Sequence, residues 1–120
     1  MSLLRLKDKS TQEPYFKELL RSLVDRIKRL EPEAQVYIFG SFVSKKFTAE
    51  SDIDLAVIVP DHWKQKDFLD QIYADGPISS WPLDLLVFRK TYFEEKSKIG
   101  GVCFDIAELN VQLYPHWRLE

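Results

Sequence analysis

The sequence predicts an α/β fold, with one central mixed sheet flanked by helices. Three observations carry that prediction. Helical and strand signals alternate along the whole chain. The run Ser51-Asp52-Ile53-Asp54-Leu55-Ala56-Val57-Ile58-Val59 is apolar on both alternating sets beyond its first residues, as a buried central strand is. The segment joining it to the next apolar run, Leu83–Phe88, is long enough for a parallel, right-handed crossover through a helix.

The elements follow in order. Residues 1–10, with Arg5, Lys7 and Lys9, read as a loosely ordered lead-in. A helix is expected from Gln12 to Leu30, with Pro14 in its first turn, where a missing N–H costs nothing. Phe16, Leu19, Leu20, Leu23, Val24, Ile27 and Leu30 recur at three- and four-residue steps and form its apolar face. Val36–Phe39 is a short strand ended by Gly40-Ser41, and residues 42–50 read as a turn of helix and a loop. Ile53–Val59 is the second strand, closed by Pro60. Asp61 is the expected N-cap of a helix reaching Tyr73, with Phe68, Leu69, Ile72 and Tyr73 inward. Asp75-Gly76-Pro77 breaks it. Leu83–Phe88 is the third strand. Thr91 and Glu94 form a capping box for the next helix, which Gly100-Gly101 interrupts. A short helix over Cys103–Leu109, a left-handed stop at Asn110 and an edge strand over Val111–Tyr114 complete the chain.

Bulk properties narrow the classes of function. A chain of 120 residues is the size of one domain, and its 45% apolar and 30% charged content is that of a globular protein. The net charge of −2 and the scattered lysines and arginines give no strong nucleic-acid signal. The single cysteine, Cys103, supports neither a disulfide framework nor a zinc cluster, which fits a reducing, cytoplasmic setting. The N-terminus lacks the long apolar run of a signal peptide or membrane span. His62 and His116 have no metal-spaced partner and read as surface residues. Trp63, Trp81 and Trp117 read mainly as packing, and Trp81, just before the third strand, is a candidate lining for a ligand pocket.

The chemistry concentrates in three aspartates. Alternation puts Asp52 and Asp54 on one face of the second strand, about 7 Å apart. Parallel pairing would set Asp84 beside them, and an antiparallel first strand would bring Gly40-Ser41 to the same end. Three carboxylates that close cannot all ionise unless a cation settles among them. Hard oxygen donors with no histidine or cysteine set prefer Mg²⁺, which takes one or two carboxylates and completes its shell with phosphate oxygens. Gly40 would let backbone approach a phosphate, Ser41 could cap the helical turn after it, and Lys45 and Lys46 supply counter-charge.

Gly40-Ser41, ten intervening residues, then Asp52-Ile53-Asp54, with Asp84 on a later strand, resembles the signature of the DNA polymerase β-like nucleotidyltransferase superfamily, most nearly its minimal MNT-type members. The resemblance runs from Gln12 to about Tyr114. It implies that Asp52, Asp54 and Asp84 are catalytic and hold two Mg²⁺ ions, and that Gly40 and Ser41 hold the phosphates of a nucleoside triphosphate, with ATP the expected substrate. It implies transfer of AMP to an acceptor hydroxyl, in the toxin–antitoxin relatives a tyrosine of a HEPN-type partner protein. A binding subunit that neutralises such a partner without transfer is the alternative. The C-terminal apolar segment could serve a partner or a homodimer. One departure stands out: the stretch after Gly-Ser carries Lys45 and Lys46 where many minimal members have arginines, and lysine lacks the bidentate fork.

Overall fold

The computed structural model describes residues 9–40, 52–79 and 81–119, with side chains from residue 16 onward. The elements are α1 (Lys9–Leu30), β1 (Gln35–Phe39), β2 (Ile53–Val59), α2 (Gln65–Ile72), β3 (Leu83–Arg89), α3 (Lys90–Lys96), α4 (Val102–Glu108) and β4 (Asn110–Tyr114). The strands form a mixed sheet in the order β3-β2-β1-β4. β1 is antiparallel to β2 and β2 is parallel to β3, as the connection lengths predict, and β4 pairs antiparallel with β1.

Alternation along β2 divides the core into two layers. Ile53, Leu55, Val57 and Val59 pack on the face covered by Phe16, Leu20, Leu23, Val24 and Ile27 of α1 and by Phe68 and Ile72 of α2. Ala56 and Ile58 point the other way, into a smaller cluster with Phe88, Cys103 and Ile106, flanked by Phe93. Each large side chain buried this way contributes about 1.5–3 kcal/mol, so the register of β2 is strongly held. A one-residue slip would turn every apolar residue to the wrong layer. Arg26 of α1 donates to the carbonyl of Ile72 at 3.1 Å, joining α1 to the C-terminal end of α2. The buried Glu31 is satisfied: it accepts from the Trp63 indole N–H at 3.0 Å and from the Glu33 backbone N–H at 2.7 Å.

Several local expectations need correction. α1 begins at Lys9, so Pro14 lies in its second turn. A proline there removes one helical hydrogen bond, and nothing in Lys9–Glu13 forbids the helix from continuing back past it. α2 begins at Gln65, not after Asp61, and its N-cap residue Lys64 makes no side-chain cap. Asp61 is engaged elsewhere. Its carboxylate accepts the Thr91 N–H at 2.9 Å and also the Thr91 hydroxyl. Thr91 is therefore inside the first turn of α3, and that turn is capped from across the fold by Asp61, with no Thr91–Glu94 box. Asn110 begins β4, and it stops α4 with its side chain. Its amide donates to the carbonyls of Ile106 and Ala107, at 2.5 and 3.2 Å. Tyr73 is 39% exposed, at the end of α2, and does not face the core. Trp81 packs edge-on against Phe16, with ring centroids 5.2 Å apart, beside the layer opposite the aspartates. Cys103 is buried, as its apolar surroundings suggest. Among the described residues no helix is long and apolar enough to cross a membrane.

The Asp61–Thr91 contact has a definite pH signature. The two hydrogen bonds from Thr91, then the nearby Arg89 and Lys90, hold the Asp61 carboxyl below its ordinary 3.8. The folded state thus binds this proton more weakly than the unfolded chain. Its stabilisation is complete above 3.8 and is lost as pH falls below that value through the folded one. Asp61→Ala should lower the thermal midpoint at pH 7, and the gap to the parent should close as pH is taken below 3.8. A gap that persists unchanged in acid would assign the effect to packing instead.

Candidate active site

The carboxylates meet at the edge of the sheet where β2 and β3 begin and β1 ends. Cross-strand pairing sets Asp54 opposite Phe39 on β1 and opposite Asp84 on β3. Neighbouring parallel strands lie about 4.8 Å apart, so Asp54 and Asp84 are next to each other on one face. The Ile53 N–H donates to the Pro82 carbonyl at 2.8 Å, which pins the entrance of β3 against that of β2. Asp52 immediately precedes β2 and is exposed, as is Asp84, whereas Asp54 is half-buried.

Gly40 follows β1 with φ of +77°, a conformation that costs other residues about 1–2 kcal/mol. The space is as restrictive as the torsion. A Cβ on Gly40 would stand 2.3 Å from Asp54 Oδ2, so backbone and carboxylate approach each other as only glycine permits. Four of the residues singled out in the sequence, Gly40, Asp52, Asp54 and Asp84, thus share one end of the sheet. Ser41, Lys45 and Lys46 lie outside the described residues.

Electrostatics follow from the crowding. Burial, then the charge of Asp84, then that of Asp52 raise the Asp54 carboxyl above its ordinary 3.8. Among the described residues no lysine, arginine or histidine lies within ion-pair distance of the three aspartates. Nor do three Asp, Glu, His or Cys side chains there converge closely enough to close a metal cage by themselves. Carboxylate oxygens are the hard donors that Mg²⁺ takes alongside substrate phosphate oxygens. Hard oxygens and their mutual repulsion fit such an ion.

Tyr73 is a neighbour the sequence reading assigned to the core. Burial, and next the charge of Asp84, raise its phenol above the ordinary 10.0. Its position at the end of α2, beside the edge strand β3, depends on a crossover angle that periodicity does not carry. Two surface clefts, one along His62–Gln71 and one between Lys64 and Tyr92, contain none of the three aspartates. What distinguishes the carboxylate end among the described residues is its charge and the close approach of backbone to Asp54.

The raised Asp54 carboxyl sets a sign for stability. The folded state binds this proton more tightly than the unfolded chain, so without metal stability declines as pH rises from below 3.8 through the folded value. Asp54→Asn should therefore raise the metal-free thermal midpoint at pH 7. Millimolar Mg²⁺ should raise the parent's midpoint more than the variant's. A lower metal-free midpoint for Asp54→Asn would contradict the crowding.

The model of the family described as "Nucleotidyltransferase domain" matches residues 20–108. A curated relative, the poly(A) RNA polymerase cid14 of Schizosaccharomyces pombe, is 34% identical over 64 residues, or 50% of this chain. The chain spans only 9% of that protein's length. A solved toxin–antitoxin structure with AMP-PNP superposes with a TM-score of 0.47 at 18% identity, covering 78% of this chain and 72% of that one. With a family match that takes in most of its length, including Gly40 and all three aspartates, the chain belongs to the polymerase β-like nucleotidyltransferases.

Proposed function

We infer that the carboxylate end binds a nucleoside triphosphate and transfers its monophosphate, AMP from ATP, to an acceptor hydroxyl. The observation that carries this reading is the register of Asp54 against Asp84 beside Gly40, in a chain that belongs to the nucleotidyltransferases. Asp52, Asp54 and Asp84 would hold two Mg²⁺ ions, which neutralise the triphosphate and stabilise attacking and leaving oxygens.

The chain's own residues do the rest. Gly40, with no Cβ, lets the Asp54 carboxylate stand against the backbone at the turn where the triphosphate would bind. Ser41 would bind the β- and γ-phosphates, with Lys45 and Lys46 as counter-charges. Asp54 works as the anion, so acidic pH disarms the site by protonating a carboxyl that is already raised. Asp84 is exposed on the edge strand, where an acceptor can reach it, and takes the acceptor's proton. The acceptor oxygen bonds to the α-phosphorus, the bond from that phosphorus to the bridging oxygen breaks, and pyrophosphate leaves.

A hydroxyl on a HEPN-type partner protein is the acceptor that the sequence resemblance suggests. A second reading, a subunit that neutralises such a partner by binding alone, draws on exposed apolar side chains around α4. Ile99 is 76% exposed and Leu109 62%, with Val102 and Phe104 also exposed.

Incubation with α-labelled ATP, Mg²⁺ and a co-purified partner separates the two. Transfer should label the partner and release pyrophosphate. Asp52→Asn or Asp84→Asn should each reduce the rate by about 100-fold or more, the scale for losing one group that stabilises transition-state charge. Equal labelling by parent and Asp52→Asn would overturn the catalytic assignment. Full neutralisation by a chain lacking all three carboxylates would favour binding alone.

A further inference from the structure

At the opposite end of the sheet, where β3 finishes, lies a cleft of about 410 Å³ lined by Lys64, Gln65, Phe88, Arg89 and Tyr92. Arg89 lies five positions beyond Asp84 along β3, a span of about 16 Å at the strand rise, so this cleft is distinct from the carboxylate end. Its volume is within the usual range for small-molecule sites, about 300–1,000 Å³.

The lining combines two chemistries. Lys64 and Arg89 are cations, and among the described residues neither has an ion-pair partner within 4 Å. No acidic side chain lines the cleft. Asp61, whose carboxylate interacts electrostatically with Arg89, accepts both hydrogen bonds of Thr91. Phe88 and Tyr92 supply the second chemistry. Their ring planes are parallel to within 4°, with centroids 6.3 Å apart, and Tyr92 is 48% exposed. The Lys96 ammonium lies over the Tyr92 ring, 5.7 Å from its centroid, and adds positive potential there. Gln65 donates its amide to the Val87 carbonyl, which fixes the side chain and leaves its oxygen as an acceptor on the cleft wall.

Cations beside an aromatic step match a ligand that carries both phosphate and a flat ring. Arginine grips phosphate through a planar fork, lysine by point charge, and a ring stacks on tyrosine whatever base it carries. We propose that this cleft is a second nucleotide-binding site, taking a free nucleoside monophosphate or one nucleotide of a single strand. The Asp61–Thr91 contact supports it from below by fixing the start of α3, and with it Tyr92. The proposal is independent of whether the carboxylate end turns over substrate.

The test uses the full chain carrying Asp54→Asn, in EDTA, so that binding at the carboxylate end is suppressed. Backbone amide shifts are followed during titration with 5′-AMP, with a short single-stranded oligoadenylate and with inorganic phosphate. AMP or the oligonucleotide should move the amides of Lys64, Arg89 and Tyr92, and leave those of Gly40 and Asp84 in place. Tighter binding of AMP identifies a free nucleotide as the ligand, and tighter binding of the oligonucleotide identifies a strand. Lys64→Ala with Arg89→Ala should weaken binding about ten-fold or more, the equivalent of about 1.4 kcal/mol. Tyr92→Leu should bring AMP affinity down to that of phosphate. Lys64, Arg89 and Tyr92 are exposed, so circular dichroism should show the variants folded. No shift at these amides with either nucleotide, or unchanged affinity in the folded double variant, would overturn the proposal.

Discussion

The site depends on one enforced adjacency: Asp54 and Asp84 stand side by side because β2 and β3 pair in parallel, in this register. The carboxylates do not choose that position. The register is held by apolar side chains further along the same strands, Leu55, Val57 and Val59 in one layer and Ala56, Ile58 and Phe88 in the other. Those layers together contribute far more than a pair of like charges can oppose. The hydrophobic core therefore holds two anions, with Asp52 close by, at an end of the sheet where no described cation answers them. Gly40 adds to the constraint by pressing backbone against Asp54 Oδ2. A divalent ion with bound phosphate would relieve this strain and use it.

Much of this was legible in the sequence because it rests on short-range rules. Apolar runs bounded by Pro60 and by Asp75-Gly76-Pro77 mark β2 and the end of α2. The strand period places Asp52 and Asp54 on one face, and crossover length gives the parallel pairing that aligns Asp84. What stayed hidden rests on contacts between distant segments. Asp61 looks like a local cap, but its partner is Thr91, 30 positions on. Trp81 reads mainly as packing, but that its partner is Phe16 of α1 is visible only in the coordinates. Tyr73 fits the apolar period of its helix, yet the helix ends one residue earlier and turns the ring outward. The glycine is intermediate: a turn was expected at Gly40, but its contact with Asp54 needs coordinates.

The two ends of β3 carry opposite signs. It begins at carboxylates and ends at Arg89, with Lys90 next and Lys64 across the cleft. In a chain of net charge −2 this separation is a property of arrangement, not composition. On the proposed readings, one end would take cations with their phosphates and the other phosphates directly. The alternation of helix and strand explains how one short element serves both: each passage through the sheet exposes a strand start at one end and a strand finish at the other.

The adjacency can be measured on the carboxyl groups themselves. In metal-free protein labelled with ¹³C at aspartate side chains, the Asp54 Cγ resonance should titrate above 3.8. Asp84→Asn should move that titration down, and saturating Mg²⁺ should move it below 3.8. An Asp54 resonance that titrates at or below 3.8 without metal, and ignores the loss of Asp84, would contradict the account.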